Sequence, residues 1–433
     1  MRSPLLLAVL GGLFGCRQAP DDTLLRTLPP DRTGVAFANT LTTDDTLNAL
    51  RYDYLYNGGG VAVGDLNGDG HLDLFFTGNQ VSSRLYLGGG NLRFRDVTEA
   101  AGVRTDRWCT GVALVDLDQD GRQDLYVSVA GPDPARRRNL LFVNQGNEAD
   151  GTPRFREEAA AWGLDDDGYS TQATCFDYDR DGDLDLYLLT NALESYDRNT
   201  VLPKRADGSA PSTDRLYRNE GVGPNGHPHF VDASAAVGIR TEGFGLGVVA
   251  SDLNQDGWTD VYAANDFITN DLLWLNRGAP NGPHEGFEDV ADRAVRHQTH
   301  NGMGTDVADC NNDGRPDVVV VDMLPASNRR QKTMLPSANV DKFNRILKAG
   351  YTAQYMRNTV QVQRGVLPDG TPLFSEVGQM AGVYATDWSW APLWSDLDND
   401  GRRDLFITNG YRKDVTDLDF IAYGREAGPF GTE

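Results

Sequence analysis

Cysteine is scarce in this chain. The 433 residues contain 4 cysteines, and one of them, Cys16, lies in an N-terminal leader. The others, Cys109, Cys175 and Cys310, are odd in number, which excludes a complete disulfide framework. A single Cys109–Cys175 bridge remains open. Cys310 fills a position that holds leucine or tyrosine in the other repeats described below, so we interpret it as a small buried hydrophobe.

Positive charge is also in short supply. Lys and Arg number 40 against 63 Asp and Glu, for a formal net charge of -23. Because a polyanion repels nucleic acid and anionic membranes, we predict no nucleic-acid partner and contact with a membrane only through a lipid anchor. The excess of acid instead suggests bound cations.

Familiar catalytic motifs are missing. The sequence has no HExxH, no GxSxG elbow, no phosphate-loop glycines and no Cys/His ligand set, so we predict no catalytic residue. His297 and His300 are the best-spaced pair for a metal, but their turn-rich context favours surface or hydrogen-bonded histidines. Trp388, Trp390 and Trp394 either pack between strands or stack on sugar rings.

The N-terminus has the pattern of an export signal. Arg2 is followed by an apolar run from Leu5 to Phe14 that is too short to span a bilayer, and Cys16 follows at its end. Residues 1–16 resemble a bacterial lipoprotein signal with Cys16 as the lipidation site. A plain signal peptide is the alternative.

Residues 17–33 are polar and contain proline, which predicts a tether. Asp21 and Asp22 resemble the surface-export signals of Bacteroidota lipoproteins. We therefore expect a lipid-anchored protein of the outer membrane or cell surface, with one folded domain over residues 34–433.

Six nonapeptides repeat along that domain. They are DLNGDGHLD from Asp65, DLDQDGRQD from Asp116, DYDRDGDLD from Asp177, DLNQDGWTD from Asp252, DCNNDGRPD from Asp309 and DLDNDGRRD from Asp396. Small and apolar residues precede each one, and β-branched or aromatic residues follow, so each loop joins two strands. Two more apolar runs follow, which makes four strands per repeat.

Repeated four-stranded units predict an all-β fold, a β-propeller of six or seven blades with calcium loops and one short inserted helix. A solenoid is the alternative architecture. Aromatic and small residues before the first strands, such as Trp108-Cys109 and Phe244-Gly245, resemble the FG element of integrin-type FG-GAP blades. The segments YLYNGGGVAVGD, VDMLP and TDWSWAPLWSD resemble bacterial VCBS-repeat lipoproteins related to cartilage acidic protein. That resemblance implies calcium binding.

The nonapeptides also have the oxygen spacing of a calcium loop. Calcium takes six to eight oxygen ligands at about 2.3 to 2.6 Å, and the loops offer side-chain oxygens at positions 1, 3, 5 and 9 and a backbone carbonyl at position 7. Glycine at position 6 allows the sharp turn. An ordinary Asx turn is the alternative for any single loop. The predicted metal ligands are Asp65, Asn67, Asp69, His71, Asp73, Asp116, Asp118, Asp120, Arg122, Asp124, Asp177, Asp179, Asp181, Asp183, Asp185, Asp252, Asn254, Asp256, Trp258, Asp260, Asp309, Asn311, Asp313, Arg315, Asp317, Asp396, Asp398, Asp400, Arg402 and Asp404.

Two insertions interrupt the repeats. Leu193 to Arg215 is predicted to be a surface loop. Asp322 to Asn358 is predicted to hold a helix from Val340 to Ala349, capped by Asn339 and packed as a lid on one face. The last repeat lacks clear third and fourth strands. Either the segment near Gly34 (GVAFANTL) supplies one and closes the ring, or a continuation of the polypeptide supplies them.

These features favour a calcium-binding, extracytoplasmic binding module for a protein or glycan ligand. The alternative is a polysaccharide-active enzyme of lyase or dehydratase type, or its accessory, built on the same propeller. An acid or histidine cluster in the central funnel would favour the enzyme.

Overall fold

The protein is mostly β in its computed structural model, which describes residues 24–49, 51–192, 200–278, 284–334, 340–411, 414, 416–420 and 422. Five four-stranded antiparallel sheets and one two-stranded sheet follow one another along the chain. The strands of each sheet pair in sequence order, so each repeat folds as a local meander.

The first three sheets each follow this order. The first consists of β1 (Val61–Gly64), β2 (Asp73–Phe76), β3 (Arg84–Gly88) and β4 (Phe94–Asp96). The second consists of β5 (Trp108–Val115), β6 (Asp124–Ala130), β7 (Leu140–Asn147) and β8 (Pro153–Glu157). The third consists of β9 (Tyr169–Phe176), β10 (Asp185–Asn191), β11 (Arg215–Val222) and β12 (Pro228–Asp232).

The remaining sheets include one short parallel pair inside the fifth repeat. The fourth sheet consists of β13 (Gly245–Ser251), β14 (Asp260–Asn265), β15 (Leu272–Asn276) and β16 (Phe287–Asp289). β17 (Gln298–Thr299) pairs in parallel with β20 (Gln354–Tyr355). The fifth sheet consists of β18 (Thr305–Ala308), β19 (Asp317–Val320), β21 (Thr359–Val366) and β22 (Pro372–Glu376), and the sixth of β23 (Ser389–Ser395) and β24 (Asp404–Asn409).

Hydrophobic cores lie between consecutive sheets, because the second strand of a repeat sends alternate side chains to its two faces. Leu125 of β6 joins the core shared with the first sheet, while its neighbour Tyr126 joins the core shared with the third. Leu186 and Tyr187 of β10 divide in the same way. The predicted repeat of four strands is therefore confirmed in five of the six units.

The sixth sheet has two strands in the described part of the chain, and its outer face is uncovered. The first strands contact each other in succession from β1 to β23, but no interface of comparable extent among the described strands joins β23 to β1. Val61 and Val63 of β1 are 57% and 53% exposed, and Leu393 and Phe406 of the sixth sheet are 52% and 41% exposed. The first and last sheets thus each present apolar side chains that the inner sheets bury.

Residues 34–42 are not a strand, which corrects the expectation for the segment near Gly34. Phe37 stacks on Phe76 of β2 with ring centroids 5.2 Å apart, and Asn39 Nδ2 donates to Asn79 Oδ1 at 2.5 Å. These side-chain contacts hold the segment on the first sheet, and no described strand pairing links it to the sixth.

Helices are short and lie in the connections. They are α1 (Pro30–Thr33), α2 (Thr98–Ala101), α3 (Ala159–Trp162), α4 (Ala291–Ala294), α5 (Asn328–Thr333) and α6 (Val340–Lys348), with 3-10 turns at Asp53–Tyr56 and Pro134–Arg136. The predicted inserted helix is confirmed as α6 and ends one residue early. Asn339, its predicted cap, lies outside the described residues, as do Cys16 and the rest of the leader. Among the described helices, none is both long and apolar enough to cross a membrane.

The three cysteines of the folded part are all free, so the Cys109–Cys175 bridge left open above does not form. Cys109 is fully buried in the core between the first and second sheets, whereas Cys175 packs in the next core, between the second and third. Cys310 packs against Val319 and Val360 as a partly buried residue. Hydrophobic packing, not disulfide bonding, holds the described sheets together.

Candidate metal centres

Each nonapeptide forms the connection between the first and second strands of its sheet. Position 6 is a glycine with φ between 82° and 99° in all six loops, as Gly70, Gly121, Gly182, Gly257, Gly314 and Gly401 show. This left-handed conformation strains residues that carry a Cβ, so the loop requires glycine there. The chain therefore reverses at the same point in every repeat.

The first aspartate of each loop organises this turn. In the second loop, Asp116 Oδ1 accepts the N–H of Asp120 at 3.0 Å and Asp116 Oδ2 accepts the N–H of Gly121 at 2.9 Å. The same pair of hydrogen bonds occurs in the other five loops. All six repeats thus share one local geometry.

In five of the six loops, the ninth-position aspartate is buried at the start of the second strand. Asp124 Oδ2 accepts the N–H of Leu117 at 3.3 Å, and Asp124 Oδ1 accepts the N–H of Asn144 from the third strand at 2.8 Å. Equivalent bonds from a third strand reach Asp73, Asp185, Asp260 and Asp317. This carboxylate therefore ties the loop to its sheet.

Burial makes four of the ninth-position carboxylates hard to ionise without a cation. It raises the pKa of Asp124 and of Asp185 to about 7 and the pKa of Asp260 to about 8, and it raises the pKa of Asp73. At position 3, burial and then a neighbouring aspartate raise the pKa of Asp118 and of Asp179. A bound cation would remove this penalty, because it stabilises the charged form.

Three loops bring three carboxylates together. Ligand atoms lie within 4.8 Å of one another in the sets Asp116, Asp118 and Asp124; Asp177, Asp179 and Asp185; and Asp396, Asp398 and Asp404. Asp179 Oδ1 is buried and has no hydrogen-bond partner. An unpartnered carboxylate oxygen beside two other carboxylates fits a hard, oxygen-preferring cation such as calcium.

The other predicted ligands lie around these clusters. The fifth-position aspartates turn one oxygen to the N–H of position 7, as Asp120 Oδ1 does to Arg122 at 2.9 Å, and they are not in the three sets above. Asn67 and Asn254 donate to the fifth-position aspartate of their own loops at 3.0 and 2.9 Å. Ligation by positions 5 and 7, and by the loops with asparagine at position 3, remains a prediction.

A second loop position has the same backbone conformation in all six repeats, and the sequence analysis did not predict it. Position 4 also has positive φ: Gly68 in the first loop, then Gln119, Arg180, Gln255, Asn312 and Asn399. From the second loop onward, its side chain reaches the glycine carbonyl of the next loop. Gln119 donates to Gly182 O at 2.6 Å, Gln255 to Gly314 O at 2.6 Å and Asn312 to Gly401 O at 3.2 Å, and Arg180 bonds Gly257 O. We call these four contacts the loop relay.

A second missed group links three of the third strands to the preceding loop. Asn144 Nδ2 donates to Leu66 O at 3.0 Å, and Asn276 Nδ2 donates to Tyr178 O at 2.9 Å. In the fifth sheet Gln363 makes the equivalent contact with Leu253 O. The recurring Asn-x-Gly after the third apolar run (FVNQG, YRNEG, WLNRG) was the available sequence signal.

On the opposite ends of the strands, buried acids are engaged in structural hydrogen bonds. Asp266 accepts from Tyr54 Oη at 3.1 Å and from Asn301 Nδ2 at 2.8 Å. Asp322 accepts backbone N–H groups that include those of His300 and Arg357, at 3.0 and 3.1 Å. These acids organise the connections on that face.

His297 and His300 are not members of the aspartate clusters, and the three tryptophans are on or beside β23. In the described residues, the groups able to hold a metal consist of aspartate, without His297 or His300. Trp394 packs against the fifth sheet, as expected for a residue between blades. Trp388 is half-buried and stacks on Tyr411 at 4.0 Å, with Trp390 5.9 Å from it.

Comparisons with known proteins match these repeats. A model described as FG-GAP-like repeat matches residues 50–127 and 252–320. Cartilage acidic protein 1 is 27% identical over 245 residues in Mus musculus and over 243 in Homo sapiens, covering 55% of this chain and 32% of each relative. This chain thus spans 32% of the length of those relatives.

Among solved structures, similarity extends to two further proteins. One is an Agrocybe aegerita lectin described as recognising non-reducing terminal N-acetylglucosamine, with a TM-score of 0.41, 16% identity, and coverage of 80% of this chain and 73% of the lectin. The other is the V. cholerae biofilm matrix protein Bap1, with a TM-score of 0.30, 15% identity, and coverage of 73% and 38%.

Proposed function

We propose that this chain, which carries FG-GAP-like repeats and is distantly homologous to cartilage acidic protein 1, is a calcium-binding extracytoplasmic β-propeller that serves as a binding module. Calcium would fix the loops on one side of the sheets. A protein or glycan ligand would bind on the other side, where the insertions lie.

The observation that carries the calcium assignment is the third loop. Its three carboxylates lie within 4.8 Å of one another, and Asp179 Oδ1 is buried without a partner. Zinc prefers nitrogen and sulfur in a tetrahedron, and magnesium demands a rigid octahedron with several waters. A flexible all-oxygen site with several carboxylates and a backbone carbonyl favours calcium over both.

The propeller assignment is supported by the succession of sheets. Each sheet packs on the next through a hydrophobic core, and the second strand of a sheet contributes side chains to the cores on both of its faces. The loop relay joins successive loops at one end of the strands. This is the arrangement in which every blade buries its faces against its neighbours. We propose that the six sheets close into a ring.

Thermal unfolding with and without chelator tests the calcium assignment. At millimolar calcium and a Kd of roughly 10⁻⁴ to 10⁻³ M, each occupied site contributes on the order of 1 kcal/mol. Several sites together should therefore raise Tm by many degrees, and EGTA should remove that gain. Magnesium at the same concentration is the matched control, and we expect it to restore little. An unmoved melting curve would contradict the assignment.

The anchor is a separate part of the proposal. We propose that residues 1–16 are a lipoprotein signal, that Cys16 is acylated, and that residues 17–33 tether the domain at the outer membrane or cell surface. Labelled palmitate should incorporate into the expressed protein, and Cys16→Ala should abolish labelling while leaving the purified domain's melting temperature unchanged. Equal labelling of the variant would exclude the anchor.

A further inference from the structure

A cavity of about 470 Å³ lies between helix α6, the β20 segment and His300. It is on the side of the sheets opposite the aspartate loops, because the insertion that carries α6 joins the second and third strands of the fifth sheet. Val201, Ile268 and Tyr351 pack with Ile346 at one side of α6 and anchor the helix to neighbouring repeats. The cavity is therefore built by packed elements, and its size suits a small ligand.

Aromatic and aliphatic side chains form the walls. The rings of Phe343 and Tyr355 both line the cavity, with centroids 6.3 Å apart, and Tyr355 is 41% exposed. Leu324, Val340, Ile346 and Met356 complete the apolar lining. Walls of this kind accept the apolar C–H face of a ring-shaped ligand.

The floor contains a buried acceptor that lacks a donor. Gln354 is 6% exposed and donates through Nε2 to Thr269 O at 2.8 Å, while its buried Oε1 lies near the His300 ring without a donor in full hydrogen-bond geometry. His300 lines the same cavity, and burial followed by nearby Lys342 lowers its pKa to about 4. Near neutral pH the imidazole is therefore uncharged, so one ring nitrogen donates and the other accepts.

The charged lining residues are cations. Lys342 and Arg357 line the cavity, and none of its described lining residues is acidic, although the whole chain has a net charge of -23. Arg357 Nη2 pairs with Glu376 Oε2 at 3.1 Å, its Cζ lies 5.4 Å from the Tyr355 ring centroid, and its Nε is buried without a partner. The lining thus carries positive charge, part of which Glu376 already balances.

We propose that this cavity binds the carboxylate-bearing end of an acidic saccharide. The sugar ring lies against Tyr355 and Phe343, a hydroxyl donates to Gln354 Oε1, and the carboxylate faces Lys342 and Arg357. An aromatic carboxylate would satisfy the walls and the cations but has no hydroxyl for Gln354, so the floor favours a sugar. The inference rests on the proposed function, because it names the ligand class of the binding module.

Calorimetric titration of calcium-loaded protein with short oligomers of glucuronate or galacturonate tests the inference. We expect binding that is at least about tenfold tighter than that of the neutral hexose oligomers, because a buried charge-assisted hydrogen bond is worth roughly 1.5 to 3 kcal/mol. Tyr355→Ala and Lys342→Gln should each weaken it at least about fivefold. Lys348→Gln, on the same helix but outside the cavity lining, is the control and should bind as the parent does.

The outcomes separate this inference from the proposed function. Normal calcium uptake without uronate binding would overturn the saccharide assignment alone. Preferential binding of benzoate would overturn it too and assign the cavity to aromatic acids. Uronate binding that Tyr355→Ala and Lys342→Gln leave unchanged would place the ligand elsewhere. Absence of calcium uptake would contradict the proposed function, whatever ligand the cavity binds.

Discussion

The second and sixth loops have the same local chemistry but different surroundings. Both gather three carboxylates within 4.8 Å, and in both the first aspartate accepts the N–H groups of positions 5 and 6. Asp124 is 1% exposed and receives hydrogen bonds from its own loop and from the third strand. Asp404 is half-buried and receives the N–H of Leu397 at 2.9 Å, with no third strand in the described part of its sheet.

The comparison separates two contributions to a metal centre. The nonapeptide itself sets the turn and the carboxylate positions, since it forms the same way in both sheets. The complete sheet adds burial and a second hydrogen bond to the ninth-position carboxylate. We therefore expect the inner loops to be coupled more strongly to folding than the sixth.

Replacing the ninth-position aspartate should show the largest difference. Asp124→Ala leaves the N–H groups of Leu117 and Asn144 without their acceptor, so we expect the free energy of unfolding to fall by about 3 kcal/mol. Asp404→Ala removes one acceptor from a less buried site, and we expect a loss of about 1 kcal/mol. Urea denaturation of both variants in calcium measures the difference. Equal losses would show that the third strand adds nothing to the site.

The second largest effect should come from competition between protons and calcium for the buried carboxylates. Burial raises the folded-state pKa of Asp185 to about 7 and of Asp260 to about 8, above the ordinary value near 4. A raised pKa means that the protonated form stabilises the metal-free fold, and this contribution is lost as pH rises through about 7 to 8. Calcium requires the ionised form, so its stabilising effect should increase over the same range.

The measurement is the fall in Tm on adding EGTA, taken at about pH 6 and about pH 8.5. We expect the larger fall at the higher pH, and Asp260→Asn should reduce the difference between the two. A fall that is equal at both values, or larger at the lower pH, would contradict the role assigned to the buried carboxylates.

The loop relay predicts a smaller effect. Gln119→Ala removes the hydrogen bond to Gly182 O, whereas Asn399 has the same left-handed backbone but no hydrogen-bond partner for its side chain among the described residues. Both variants place alanine at positive φ, and asparagine tolerates that conformation better than glutamine, so Asn399→Ala is a control that sets an upper limit on the backbone cost. Gln119→Ala should weaken calcium binding by a further factor of about two, as expected for one exposed hydrogen bond. Identical titrations would show that the loops act independently.

Local pattern was enough to predict much of this molecule. The nonapeptides, the strands around them and helix α6 follow from glycine at position 6, alternating apolar residues and a short amphipathic run. The segment near Gly34 misled, because its strand-like sequence is held on the first sheet by Phe37 and Asn39. A segment becomes a strand only where an unpaired edge strand lies beside it, and the segment's own sequence does not encode that neighbour.

Local sequence pattern could not predict the contacts between repeats. The residue at position 4 varies from Gly68 to Arg180, and only its shared φ and its acceptor on the next loop reveal a common role. The cavity beside α6 joins residues from three separate parts of the fifth repeat, namely His300, Phe343 and Tyr355. Side chains brought together by sheet packing leave no periodic trace in the sequence.

Calcium titration of chelator-stripped protein tests the central claim most directly. We predict saturable uptake of about six ions with Kd values on the order of 10⁻⁴ to 10⁻³ M, because six loops share one geometry and extracellular modules bind in this range. Asp179→Ala should lose one ion, with the rest retained. No uptake by the folded, stripped protein would contradict the account, and the loops would then be hydrogen-bonded turns without a metal.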